Sequence, residues 1–375
     1  MDASQESIKS VAEDLYKPIP TEIPPAIGWK EVLVEENEDP LVAIGPFSGN
    51  KYDRIFTSSI YFGERDDSPY GRDKLKGALI TTFARREVAD QLTTAERILP
   101  QGLHLIVMDA YRTLDVQQSL YTQYFEGLKK QHPDWDDDRL SEETQKFVSL
   151  PSTTPSRPSP HNTGGAIDVA IYKLPEEVEK RVSAINDRIG IIGEDESEVE
   201  EVYRLEMERI GLIAKNAKLL NFGTQWDFGG VEAALNYFEG LAQHKQLSRE
   251  EEEARQNRRL LYNVMIKAGF EPYADEWWHY NSVQSQMGAM TSGKTRAGYG
   301  AIELSEEDWH HELMRRKHLH GTELLTRTPV QSLDKLGRHV LWLEMAQEAA
   351  QTIGDMKETS LPRAAIIEPP EKQAA

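Results

Sequence analysis

Hydrophobic positions along this chain fall into two kinds of run. Short strand-like clusters come first, at Glu31-Val32-Leu33-Val34 and from Ile55-Phe56-Thr57 to Ile60-Tyr61-Phe62. From Ala78 to Ile98 the apolar spacing becomes helical, and Gly102 stops it. Leu103-His104-Leu105-Ile106-Val107-Met108 reads as a buried strand that leads into Asp109-Ala110-Tyr111-Arg112. The pattern then predicts a helix from Val116 to about Lys130, a Pro- and Ser/Thr-rich loop from Pro151 to Pro160, and a strand from Ala166 to Tyr172.

Farther along, helical patterns dominate. A charged block from about Pro175 to Leu220 carries one apolar stripe of Val202, Leu205, Ile210, Ile213 and Ala217. A helix is expected from Ser248 to Ala268, with Glu251, Glu252 and Glu253 favourable to its first turn and Gly269 as its C-cap. Glu276 to Tyr280 reads as a short aromatic strand. Two more helices are expected, over about Glu306–His320 and Ser332–Ile353, before a polar tail. The opening segment through Pro18-Ile19-Pro20 and Pro24-Pro25 reads as an arm.

Composition narrows the function classes. The 63 acidic residues against 43 Lys and Arg give a formal charge of −20, which argues against nucleic acid or an anionic membrane as the main partner. With no cysteine, a disulfide scaffold, a thiolate-ligated metal and a thiol nucleophile are all excluded. The N-terminus lacks a signal-peptide pattern and no apolar run reaches bilayer length, so a cytoplasmic protein is expected. Nothing in the pattern speaks to oligomeric state.

Two short segments carry the chemistry. Ser159-Pro160-His161-Asn162-Thr163-Gly164-Gly165-Ala166-Ile167-Asp168 and Glu276-Trp277-Trp278-His279 supply two imidazoles and two carboxylates. A catalytic zinc needs three protein ligands, an open position for water and a base to take the water's proton. Gly164 and Gly165 let the backbone double back, so His161 from the loop and Asp168 from the strand can meet at one ion. Taken singly, each residue has an ordinary alternative. His161 beside a glycine pair suits a structural histidine. Glu276 and His279 suit an aromatic core strand with a capping Glu, and on an ideal strand residues three apart face opposite sides. Arg112, closing an apolar strand, suits either an oxyanion or a salt bridge to Asp109 or Asp115.

Together, S-x-H-x-x-G-x-A-x-D and the later E-W-W-H resemble the zinc D-alanyl-D-alanine dipeptidases of the vancomycin-resistance type. Those enzymes share a wider group with D-Ala-D-Ala carboxypeptidases, lysostaphin-type enzymes and the hedgehog signalling domain. Asp109-Ala110-Tyr111-Arg112 resembles that family's arginine motif, with Thr113 in place of the usual proline. Gly223-Thr224-Gln225-Trp226-Asp227 resembles its Gly-x-x-Phe-Asp segment. The resemblance implies that one Zn2+ per chain is held by His161, Asp168 and His279. It further implies Glu276 as general base, Arg112 as transition-state stabiliser, Asp227 on the substrate's ammonium and Ser159 beside the substrate.

The implied fold is α+β: a small, mainly antiparallel sheet carrying the zinc site and packed by helices. The expected organisation is an arm over 1–28, a zinc peptidase domain over 29–285, a helical C-terminal extension over 286–356 and a tail over 357–375. Helical insertions are expected within the domain at about 173–220 and 231–268. The expected activity is hydrolysis of a dipeptide, with D-Ala-D-Ala first. The alternatives are a same-group carboxypeptidase or amidase acting on another peptide or a peptidoglycan stem, and a hedgehog-like zinc-containing binding module. The histidines of Trp309-His310-His311-Glu312 to His320 lack the H-E-x-x-H spacing and read as a helical face. Gly298-Tyr299-Gly300 lacks a phosphate-loop context.

Overall fold

The computed structural model describes residues 14–49, 51–62, 75–145, 148–152, 154, 157–192, 199–309, 311 and 312. Its main sheet has six strands. Five run in the order β3 (Phe56–Thr57), β5 (Leu103–Asp109), β6 (Ala166–Lys173), β9 (Glu276–Ser282) and β8 (Phe270–Tyr273), and β7 (Lys218–Leu219) pairs with β6 off that path. Only β3 lies parallel to its neighbour, so the sheet is mainly antiparallel. Two small ribbons flank it, β1 (Leu33–Val34) with β10 (Arg296–Ala297) and β2 (Leu41–Ile44) with β4 (Thr82–Arg85). Mixed helix and sheet of this kind give the expected α+β class.

The helices Arg86–Ile98 and Arg249–Lys267 pack on each other and on the sheet. Ile167, Val169 and Ile171 of β6 join their core, and Asp168 alternates with them to face the other side. The second helix starts as its sequence implies. Ser248 and Glu251 form a reciprocal capping box, and Gly269 follows the end at φ 93°, where a side chain is strained.

One expected helix begins later than its pattern suggests. Residues 82–85 are strand β4, paired with Leu41–Ile44, and the helix starts only at Arg86. The strand is buried on both faces, and Arg85, 1 % exposed, is held by Glu36 and the carbonyls of Asp39, Thr163 and Gly300. Partners distant in sequence override the local period. The early strand-like clusters also shrink. Trp29–Glu31 is a 3-10 turn before β1, and Ile60–Phe62 forms a turn beyond β3.

The charged block after β6 forms two packed helices, Glu176–Ile192 and Val199–Asn216. Leu205 and Ile213 of the expected stripe are buried. Arg209, buried beside Glu206, donates to Asn186 and to the carbonyl of Asp53, which ties this block to the loop before β3. At the far end, the buried carboxylate of Glu312 accepts from the N–H groups of Ile80 and Thr81. The expected helices over 306–320 and 332–353 lie, beyond Glu312, outside the described residues.

Candidate metal centre

His161 opens a 3-10 turn, His161–Thr163, that closes at Gly164 with φ 68°. Its backbone carbonyl receives the N–H of Arg112, so the turn is fastened to the end of β5. Asp168 sits in the middle of β6, directly opposite His279 of β9. Opposed residues of an antiparallel pair share a face, which brings the carboxylate beside the imidazole. Glu276 starts β9, where β8 and β9 break their regular register and Tyr273 pairs with Glu276. That irregular hairpin end lets Glu276 reach the side of His279 despite the spacing of three. Its Oε2 lies 3.8 Å from His279 Nδ1.

Three donor atoms converge. His279 Nδ1 lies 3.1 Å from Asp168 Oδ1, His161 Nε2 lies 3.5 Å from the same oxygen, and the two ring nitrogens are 3.2 Å apart. All three residues are buried, and together they form a group able to hold a metal ion. Ligands at about 2.0–2.1 Å from a tetrahedral ion stand roughly 3.4 Å from one another, so the spacing fits. The remaining ring nitrogens settle the tautomers. His161 Nδ1 donates to the carbonyl of Ala110 at 2.8 Å, and His279 Nε2 donates to Asn281 Oδ1 at 3.3 Å. Each ring thus turns a lone pair toward the common centre.

A bulge completes the surround. The β5–β6 register shifts between Val107 and Asp109, which sets Asp109 opposite Asp168. Asp109 Oδ2 accepts from Arg112 Nε at 3.0 Å and Nη2 at 2.7 Å, and lies 3.2 Å from His161 Nδ1. Arg112 also donates to Gln117 Oε1 and to the Tyr61 hydroxyl. Four of its five N–H donors are therefore engaged among the described residues, and one remains. The salt bridge to Asp109 is present, and it leaves the guanidinium at the site.

Charge is concentrated here. Burial alone raises the pKa of Asp168, and the neighbouring His161 and His279 more than reverse this, holding it well below the usual carboxylate range. Glu276 behaves oppositely. Its side chain keeps 32 % exposure, yet burial by the surrounding atoms pushes its pKa up to about 7. Asp168 and Asp227 add to that rise, while His279 and Arg112 oppose it. Asp227, exposed and at φ 60°, is thus within electrostatic reach of Glu276. Ser159 is buried at the base of the turn, its hydroxyl donating to Asn162 Oδ1 at 2.7 Å.

Asp109's contact with His161, Asn281 behind His279, and Tyr61 and Gln117 around Arg112 were not foreseen from the sequence. Only Asn281 left a signal, because it lies two residues beyond His279 and so on the same strand face.

Two buried imidazoles and a carboxylate thus surround one point able to hold a metal ion, with a second carboxylate beside them. A family model described as D-ala-D-ala dipeptidase matches residues 218–294, which include Gly223 to Asp227, Glu276 and His279. A D-alanyl-D-alanine dipeptidase of Synechocystis is 24 % identical over 212 residues, covering 54 % of this chain and 68 % of that protein. The chain is a metallopeptidase similar to the D-alanyl-D-alanine dipeptidases. His161 and Asp168 lie outside the family match, and the fold is what brings them to His279. Among the described residues no helix is long and apolar enough to cross a membrane.

Proposed function

We propose that this protein is a zinc-dependent dipeptidase whose first substrate is unacylated D-Ala-D-Ala. The observation that carries the reading is the convergence of His161 Nε2, His279 Nδ1 and Asp168 Oδ1 at 3.1–3.5 Å, with the Glu276 carboxylate 3.8 Å from that cluster. Two imidazole nitrogens and one carboxylate oxygen suit zinc, and among the described residues these three ligands leave a position open. Bound there, zinc supplies a polarised carbonyl and a water acidified to a pKa of roughly 7.

The chain's own residues do the rest. Glu276, whose carboxylate lies 3.8 Å from His279 Nδ1, takes the attacking water's proton and returns it to the leaving amine. Arg112 turns its remaining N–H toward the developing oxyanion, and Asp109, Gln117 and Tyr61 hold it in place. Asp227 receives the substrate's free ammonium, and Ser159 lines the floor of the site through the turn it anchors. The chain's organisation belongs to the same reading: one peptidase domain over 29–285, elaborated by helical insertions.

The test is the ratio of kcat/KM for D-Ala-D-Ala to that for its N-acetyl form. A preference for the free amine of about one to two decades is expected, because the blocked substrate forgoes its charge-assisted contact with Asp227. Comparable values, or cleavage of long peptidoglycan stems, would replace the dipeptidase with a carboxypeptidase or amidase of the same group. Zinc binding with no hydrolysis of any peptide would favour the binding module.

A further inference from the structure

Arg258, in the middle of the helix Arg249–Lys267, is 1 % exposed, and among the described residues no carboxylate lies within salt-bridge distance of it. A buried cation normally sits beside an anion. Here backbone carbonyls take that place. Nε donates to Phe222 O at 2.8 Å, Nη1 to Ala234 O at 2.6 Å and Nη2 to Glu232 O at 2.8 Å, while the guanidinium covers the Phe238 ring at 4.7 Å. Burial pulls its pKa down, and only the nearby Tyr280 and Tyr237 act in the other direction. An arrangement that costs desolvation of a cation asks for a reason beyond filling space.

The three carbonyls bracket one stretch of chain. Phe222 precedes Gly223–Asp227, and Glu232 and Ala234 follow it. Asp227, between them, holds a left-handed backbone at φ 60°, a conformation uncommon outside glycine that Asp tolerates better than most residues. The stretch is also fastened to the strand that carries Glu276 and His279. Trp277 Nε1 donates to Thr224 Oγ1 at 2.8 Å, and the Phe222 and Trp277 rings stack at 4.1 Å. No side chain fits at Gly223, where a Cβ would overlap Phe238 under the guanidinium.

We propose that Arg258 is a positioning residue for substrate selection: it clamps both ends of the 223–231 loop and so holds Asp227 beside Glu276. The inference rests on the reading of Asp227 as the ammonium acceptor. Arginine suits the task because its planar fork serves three carbonyls in three directions, whereas lysine offers a single point of charge.

The test uses the full-length, zinc-loaded protein with Arg258→Lys and Arg258→Met. Zinc content, amide hydrogen exchange across 222–234, and kcat/KM for D-Ala-D-Ala and its N-acetyl form are measured for each. Both variants are expected to keep zinc and normal protection over 161–168 and 276–282. In Arg258→Met, exchange across 222–234 should rise about tenfold or more. Its kcat/KM for the free dipeptide should fall on the order of 10- to 100-fold, mainly through KM, with the blocked dipeptide unaffected. Arg258→Lys should fall between this variant and the parent. Unchanged exchange in both variants overturns the clamp. A mobile loop with the parent's free-to-blocked ratio overturns the selection role, and so does loss of zinc or of global protection in both variants. A parent protein with no preference for the free amine refutes Asp227 as acceptor and the selection role with it, whereas exchange still decides the clamp.

Discussion

His161 and His279 each turn one nitrogen to the common centre and fix the other with a hydrogen-bond acceptor. Losing either ring leaves one nitrogen and one carboxylate, which hold zinc poorly. His161→Ala and His279→Ala should therefore lose most of the roughly one zinc per chain expected of the parent, as measured by elemental analysis after gel filtration. Glu276→Gln keeps the shape and removes the proposed base. It should retain zinc and lose on the order of 10²–10⁴ in kcat. Activity near the parent's would remove Glu276 from the base role. These residues were legible because each lies in a short motif whose local spacing shows it. Asp109 was legible only as a partner for Arg112. Its approach to His161 depends on a one-residue bulge at Met108, and a bulge leaves no periodic trace in an apolar run.

At the level of elements, strands β5, β6 and β9 and the long helices follow the sequence pattern because their burial is periodic or continuous. Strand β4 escaped it because its pairing with Leu41–Ile44 and the Arg85–Glu36 contact are non-local. Another non-local contact makes a pH prediction. His104 at the start of β5 lies 2.7 Å from both Glu96 and Glu179, joining the helix Arg86–Ile98 to the helix Glu176–Ile192. Burial lowers its pKa, but hydrogen bonds and charge from Glu96 and then Glu179 outweigh this and raise it above the ordinary 6.5. A raised folded-state pKa means that the protonated ring stabilises the fold. The contribution is complete below about pH 6.5 and fades as pH climbs through the higher folded value. His104→Gln should cost on the order of 2 kcal/mol at pH 6 and less at pH 9, measured by urea unfolding at both. An equal loss at both pH values would mean that the ring acts through packing alone.

For the whole molecule, the metal group joins segments remote in sequence, since His161 and His279 are 118 residues apart and the fold alone brings them together. Zinc that binds only this arrangement stabilises the folded state by mass action, about 4 kcal/mol at a thousandfold excess over its Kd. Chelation should lower Tm by on the order of 10 °C, and re-addition of zinc should restore it. The same chelation applied to His161→Ala should leave Tm unmoved.

The pairing of Asp168 with His279 across β6 and β9 has one more consequence. Side chains along a strand alternate between faces, so a slip of one residue between these strands would put the two ligands on opposite faces of the sheet. Only a sheet in its proper alignment can close around the ion. The amount of zinc retained in a refolding mixture is then a count of chains whose strands have met correctly, and it should climb together with protection of the β6 and β9 amides and never ahead of it.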